Sequence, residues 1–264
     1  MSIIKTVDLC VDYDKKRILE NINLTIKESK VTVILGSNGS GKSSLLNCLA
    51  NIKKASSGSV FIDSKSITSF NHKELAKIIS LLPQKPTFPE RVCVIDLVKM
   101  AQTPYQNSLL NSKVDLNLVE GALKMTDTYG LKDELLETLS GGQLQRVWIA
   151  FLIAQNSDVM FLDEPTSFLD LKYQIEVLDI IHKLNVLHKK TIVLILHDVN
   201  LAIRYADEII ALKDKAVYCC GNPKEIITTK FMKDVYDIDT KIFKDPIYDE
   251  NMFVAYSNIK ERGN

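Results

Sequence analysis

Gly36, Gly41, Lys42 and Ser43 fit the spacing G-x-x-x-x-G-K-[ST] within GSNGSGKSS at 36–44, with Ser37, Asn38, Gly39, Ser40 and Ser44 filling the stretch. In a loop of this kind, backbone N–H groups wrap phosphate oxygens, the lysine meets the outer phosphates and the hydroxyl reaches a Mg²⁺ ion. The four fixed positions arise by accident in roughly one in a hundred chains of this length, so the flanks decide. VTVIL before the loop is a short apolar run suited to a buried strand, and Leu45, Leu46, Leu49 and Ile52 recur at helical spacing after it. A strand, loop and helix in that order aim the helix N-terminus, with its unpaired N–H groups, at the loop. The reading is a bound nucleotide; the competing one is a structural glycine turn.

Hydrolysis needs a metal ligand and a base as well. VMFLDE at 159–164 ends an apolar run on Asp163 and Glu164. An aspartate so placed assists Ser43 in holding Mg²⁺, and the neighbouring carboxylate orients or activates the attacking water. Gln84 follows IISLLP, and His197 follows TIVLIL. Taken singly, the acids are strand stops, Gln84 a surface side chain and His197 a capping residue. Ligands of open parallel sheets bind outside the carboxyl ends of strands, and that common address favours one shared site. LSGGQLQRVWIA at 139–150 opens a long apolar helix with Ser140, Gly141 and Gly142. This is a second anion site at a helix N-terminus, or else a purely structural serine cap.

The elements that must position these groups follow from the pattern. VTVIL, IISLL, VMFL and TIVLIL read as strands buried on both faces and separated by helices, which predicts a mostly parallel sheet with flanking helices. Residues 3–27 read as two extended segments around DYDKKR, an antiparallel sheet near the amino end. The 54 residues between Gln84 and Leu139 show no clear strand and carry helical periodicity such as LNLVEGALKM, which predicts an inserted helical subdomain. VNLAIRYA reads as a helix, EIIALKDKAVYC as a strand pair, and the remainder as a mixed tail.

Composition narrows the classes. The 264 residues suffice for a full core, and 33 basic side chains cancel 33 acidic ones, so no general attraction to nucleic acid or anionic lipid is expected. The longest apolar run, VWIAFLIA at 147–154, is far short of the roughly 20 residues that span a bilayer. MSIIKTVDL has no basic region followed by a long apolar stretch, which predicts a cytosolic product. Cys10, Cys48, Cys93, Cys219 and Cys220 are odd in number and lack C-x-x-C spacing, as reduced thiols do. Cys219 and Cys220 read as small residues of a C-terminal strand.

The order of these motifs resembles the nucleotide-binding subunits of ABC transporters, whose signature reads LSGGQ. The resemblance spans nearly the whole chain: 36–43 is similar to the family's Walker A, Gln84 to its Q-loop, 139–143, with Gln143, to its signature, 159–164 to its Walker B and His197 to its switch histidine. SFLD, with Asp170, is similar to the D-loop, although Phe168 stands where a smaller residue is common. Tyr13 lies where the family places an aromatic ring against adenine; ordinary packing is the alternative.

The resemblance implies an α/β phosphate-loop NTPase core with a mostly parallel sheet, an N-terminal antiparallel β subdomain and a helical subdomain at about 86–157 inserted in a RecA-like core. It implies ATP and Mg²⁺, the ion taken by Ser43, Gln84 and Asp163. Glu164 would be the general base, with His197, Gln84 and Lys42 in supporting catalytic roles. Each ATP would lie between Walker A of one subunit and the signature of a second, read here as a second copy. Separate membrane permeases would dock near Gln84, a substrate-binding protein would act indirectly, and the chain would sit peripherally on the cytoplasmic face of the membrane. PQKPTFPERVCVIDLVKMAQTPY resembles the matching region of importers for iron-siderophore, haem and cobalamin chelates, with Ala101 and Gln102 in place of their usual Gly-Arg. Iron chelate uptake is the expectation, with another importer as the alternative. A soluble ABC-type switch on nucleic acid or ribosomes is the competing class; it commonly needs two cassettes or a coiled-coil insertion, and neither is present. A kinase or GTPase leaves LSGGQ and His197 unexplained, and no N-K-x-D motif occurs.

Overall fold

The computed structural model describes residues 3–14, 16–106, 114–247 and 250–256. The chain begins with β1 (Ile4–Tyr13) and β2 (Lys16–Ile26), then β3 (Val31–Leu35), α1 (Lys42–Leu49), β4 (Ser57–Ile62), β5 (Lys65–Ser66), α2 (His72–Ile78) and β6 (Ile79–Leu82). It continues through α3 (Val94–Met100), α4 (Leu116–Met125), α5 (Gly141–Gln155), β7 (Val159–Leu162), α6 (Leu171–His188), β8 (Thr191–Ile195) and α7 (Val199–Tyr205). Last come β9 (Glu208–Lys213), β10 (Ala216–Gly221), α8 (Pro223–Ile226), α9 (Thr229–Tyr236), β11 (Asp239–Lys244) and β12 (Asn251–Tyr256).

The predicted apolar runs pair as a parallel sheet. Its order is β10-β9-β3-β8-β7-β6, with β10 alone antiparallel. Side chains of a strand alternate between faces, and here both faces are dry. Val31, Val33 and Leu35 join Met160, Leu162, Ile192 and Leu194 in a core with the helices. Ile34, Phe161, Val193 and Ile195 join the second core, against α1 and the N-terminal sheet. That second sheet is antiparallel, in the order β2-β1-β4-β5, as residues 3–27 predicted. The sheet is thus clamped between two hydrophobic layers, and its strand ends are held rigidly.

Helix α1 stops sooner than its periodicity suggests. Asn51 takes a left-handed conformation, φ 57°, which asparagine tolerates, and Ile52 beyond it is 70% exposed instead of joining the buried face. LNLVEGALKM forms α4 as expected, burying Val119, Ala122 and Leu123. Between β6 and β7 the described residues contain only helices, turns and one isolated bridge, Cys93 to Leu135. Ala101 is 1% exposed. The buried Gln102 accepts from Asp115 N–H at 2.7 Å, so this departure from Gly-Arg locks the start of α4. Cys219 and Cys220 lie on β10. The tail forms α8, α9 and a β11–β12 hairpin, the latter tied to α7 by Asn200, which donates to Phe253 O (3.1 Å) and accepts from Phe253 N (2.8 Å). Among the described residues, no helix is long and apolar enough to cross a membrane.

Candidate active site

The loop between β3 and α1 is shaped by backbone that only glycine fits. Gly36 has φ +149°, and a β-carbon there would stand 2.5 Å from the Leu212 carbonyl oxygen and 2.6 Å from Ser40 Oγ. Gly41 has φ +99° and a β-carbon there would meet Leu19 at 2.6 Å. Gly41 begins α1 without any side-chain cap, and no acidic residue occupies the first turn. The first N–H groups of α1 are therefore left for an anion, with the positive end of the helix dipole behind them.

Lys42 is 6% exposed. Its ammonium donates to Gly36 O at 2.8 Å and Ser37 O at 3.1 Å. Burial lowers its pKa, while Glu164 and Asp163 oppose that shift. Ser43 Oγ donates to Asp163 Oδ1 at 3.0 Å, joining the start of α1 to the end of β7. Burial raises the Asp163 carboxyl, and the Ser43 hydrogen bond partly offsets it.

Glu164 is held by three side chains. His197 Nε2 stands 2.6 Å from Oε1, while Gln84 Nε2 donates to Oε2 at 2.6 Å and Ser167 Oγ donates to it at 2.9 Å. Burial pushes the Glu164 carboxyl up, but the hydrogen bonds from His197, Ser167 and Gln84 outweigh it, so the group titrates below the ordinary glutamate value. Its backbone is left-handed, φ 52°, a conformation that costs a non-glycine residue about 1–2 kcal/mol.

One cavity of about 500 Å³ is lined by Ile18, Asn38, Gly39, Gly41, Lys42, Ser43, Ser44, Gln84, Glu164 and His197. The four strand ends meet there as their common address required. Gly36 and Ser37 are not part of the lining, and Ser40 Oγ is buried with no partner.

The other expected site residues stand apart. None of Ser140, Gly141, Gly142 and Gln143 lines the cavity. They form the start of α5, where Ser140 N donates to Gln143 Oε1 at 2.9 Å and Ser140 Oγ accepts from Gln143 N at 3.4 Å. Gly142 is pressed on the Tyr173 ring, where a β-carbon would come within 2.9 Å, whereas a β-carbon on Gly141 would meet nothing within 4 Å. Asp170 begins α6 without capping it, next to Phe168, which is 87% exposed. Tyr13 is 46% exposed and outside the cavity lining, with Lys53 Nζ 3.2 Å from its ring centroid.

Two contributors lie outside the motifs. Ser167 lies three residues past Glu164, and its N–H donates to the Glu164 carbonyl at 3.1 Å; that local spacing was a usable signal. Ile18 comes from β2, a distant segment that carries no motif.

A glycine-shaped loop, a buried lysine, a serine–aspartate pair and a held carboxylate are the parts that phosphate-loop nucleotide hydrolysis requires. The model of the ABC transporter family matches residues 19–167, from β2 through the phosphate loop, Gln84 and LSGGQ to Glu164. The chain belongs to the ABC transporter family, among the ATP-binding subunits that hydrolyse ATP. It is 44% identical to the probable siderophore transport system ATP-binding protein YusV of Bacillus subtilis (strain 168), covering 94% of this chain and 90% of that one. It is 41% identical to the petrobactin import ATP-binding protein FpuD of Bacillus anthracis, covering 93% of this chain and 90% of that one. Among solved structures, a dimeric bacterial ABC transporter cassette superposes with a TM-score of 0.75 at 29% identity, over 84% of this chain and 100% of that one.

Proposed function

We propose that this chain is the ATPase of an importer for an iron(III)-siderophore or a related metal chelate, acting through separate membrane permeases on the cytoplasmic face of the membrane. The substrate class rests on the YusV and FpuD likeness, which runs almost end to end. The observation that carries the mechanism is the split site. Lys42, Ser43, Glu164, Gln84 and His197 line one cavity, with Asp163 bonded to Ser43, while Ser140–Gln143 form a capped helix start outside that lining. Two copies facing each other complete two sites, each adding Ser140, Gly141, Gly142 and Gln143 to the triphosphate held by the other. A second reading, the soluble switch, has no observation in its favour.

The chemistry follows from the groups present. The loop N–H groups and the α1 N-terminus take the phosphate oxygens. Lys42 exchanges the Gly36 and Ser37 carbonyls for the outer phosphates. Glu164, ionised by its donors, accepts the proton of the water that attacks the γ-phosphorus, while the bond to the β-phosphate oxygen breaks and ADP leaves. His197 and Gln84 hold Glu164 for that step, Tyr13 supports the adenine, and Asp170 contacts the second copy.

Mg²⁺ fits the donor set. It takes hard oxygen ligands and keeps several waters, and Ser43 Oγ and Asp163 Oδ1 offer such oxygens 3.0 Å apart. The Gln84 nitrogen is committed to Glu164, which leaves its amide oxygen for a cation. When bound, the ion neutralises charge developing on the phosphate oxygens. The segment at about 86–157 is the helical subdomain to which the permeases dock, beside Gln84; α3 and α4 pack on α5 within it.

The test is uptake of a radiolabelled ferric siderophore by cells lacking the chain and complemented with wild type or Glu164→Gln. Wild type restores uptake and the variant does not. Uptake unaffected by loss of the chain would exclude this cargo.

A further inference from the structure

The C-terminal segment touches the phosphate loop at one polar point. Gly36 N–H donates to the hydroxyl of Tyr236 at 3.2 Å, across 200 residues of sequence. Gly36 is the pivot on which the loop leaves β3, at φ +149° with no room for a side chain, and its carbonyl accepts from Lys42 at 2.8 Å. The tyrosine hydroxyl therefore fixes the same residue whose other polar atom holds the phosphate-seeking lysine.

Tyr236 is well placed for this because its ring is held independently of its hydroxyl. It ends α9, whose Phe231, Met232 and Val235 are buried. Its ring meets Phe231 edge-on at 6.2 Å. Beyond it, the β11–β12 hairpin is fastened to α7 through Asn200 and Phe253. Burial pushes the phenol up to about 12, so the group stays neutral through the physiological range.

We propose that Tyr236 is a positioning residue for ATP binding, holding the pivot of the phosphate loop in its binding conformation before nucleotide arrives. This rests on the reading of 36–43 as the ATP cradle. A loop fixed in advance loses less freedom on binding. The pivot is equally fixed in the ground and transition states, so its loss weakens binding and leaves turnover unchanged.

The experiment compares full-length wild type, Tyr236→Phe and Lys42→Ala by ATP titration calorimetry, steady-state hydrolysis and thermal melting. A net hydrogen bond corresponds to about a three- to tenfold effect. Tyr236→Phe is expected to raise Kd and KM for ATP by that factor, with kcat at saturation within about twofold. An unchanged Kd and KM overturns the proposal, whether or not melting falls, because a structural role alone moves only the melting temperature. A lower kcat at unchanged KM overturns it too. Native hydrogen exchange on ligand-free wild type is a second measurement that needs no variant: the Gly36 amide should be protected, and fast exchange there overturns the proposal. Lys42→Ala separates the two readings. If it binds ATP like wild type, the cradle itself is misassigned; if it loses binding while Tyr236→Phe keeps it, only the role of Tyr236 fails.

Discussion

His197 Nε2 and Glu164 Oε1 stand 2.6 Å apart, bringing the ends of β8 and β7 to one carboxylate. Gln84, from the end of β6, holds the other oxygen. Three neighbouring strands thus converge on the group proposed as the base. Glu164→Gln keeps the shape and removes the proton acceptor. ATP binding should persist while kcat falls about 10²-fold or more, on the order of 3 kcal/mol of barrier. Single-turnover hydrolysis beside equilibrium ATP binding checks this, and near-normal turnover would remove Glu164 from its role.

Asp163 and Ser43 make the oxygen pair suited to a cation. Whether Asp163 touches the ion or orients Ser43 toward it, Asp163→Asn should weaken Mg²⁺ affinity by about 10–100-fold. Titrating ADP with Mg²⁺ and then with EDTA shows this directly. Wild type should lose affinity on chelation, and the variant should be nearly indifferent to it.

Gly141 tests the two-copy site without disturbing the single chain. A side chain there meets no atom within 4 Å, and a carboxylate in the first turn of α5 suits the helix dipole by about 0.3–1 kcal/mol. Gly141→Asp should therefore melt no lower than wild type. Against the phosphates of ATP on a second copy the same charge is repulsive, and hydrolysis should drop by about tenfold or more. Full activity would place α5 away from the nucleotide.

Cys48 sits on α1 behind the phosphate loop, 2% exposed. Burial pushes its thiol up to about 11, so its thiolate fraction at pH 8 is about 10⁻³. Iodoacetamide at pH 8 should leave Cys48 unmodified in the native chain and alkylate it in denaturant, as peptide mass spectrometry would show. Reactivity should grow as pH rises toward the thiol's own value, because only the deprotonated form attacks.

Much of this was legible in the residues, for physical reasons. The β3, β6, β7 and β8 segments are buried on both faces because two cores flank the sheet, and that leaves mostly hydrophobic runs broken only by Thr32, Ser80 and Thr191. Gly36, Gly41, Lys42 and Ser43 were visible because a loop that wraps phosphate constrains backbone and side chain at fixed spacing. Ile52 was misplaced because helical spacing continues past Asn51, where the left-handed turn stops the helix. Ile18, on the cavity lining, and Tyr236, bonded to Gly36, could not be found, since each comes in by a tertiary contact that leaves no local pattern. Gln102 holds Asp115 across 13 residues of sequence, a contact that no local pattern marks.

The left-handed backbone of Glu164 has a consequence for how robust the molecule is. A residue with a side chain resists that conformation, and glycine does not. Glu164→Gly relieves about 1–2 kcal/mol of left-handed strain but also removes the hydrogen bonds from His197, Gln84 and Ser167, which hold the carboxylate in its ionised form. Backbone strain and side-chain anchoring thus pull in opposite directions at this one residue, and the three donors are what keep a non-glycine residue in a left-handed turn.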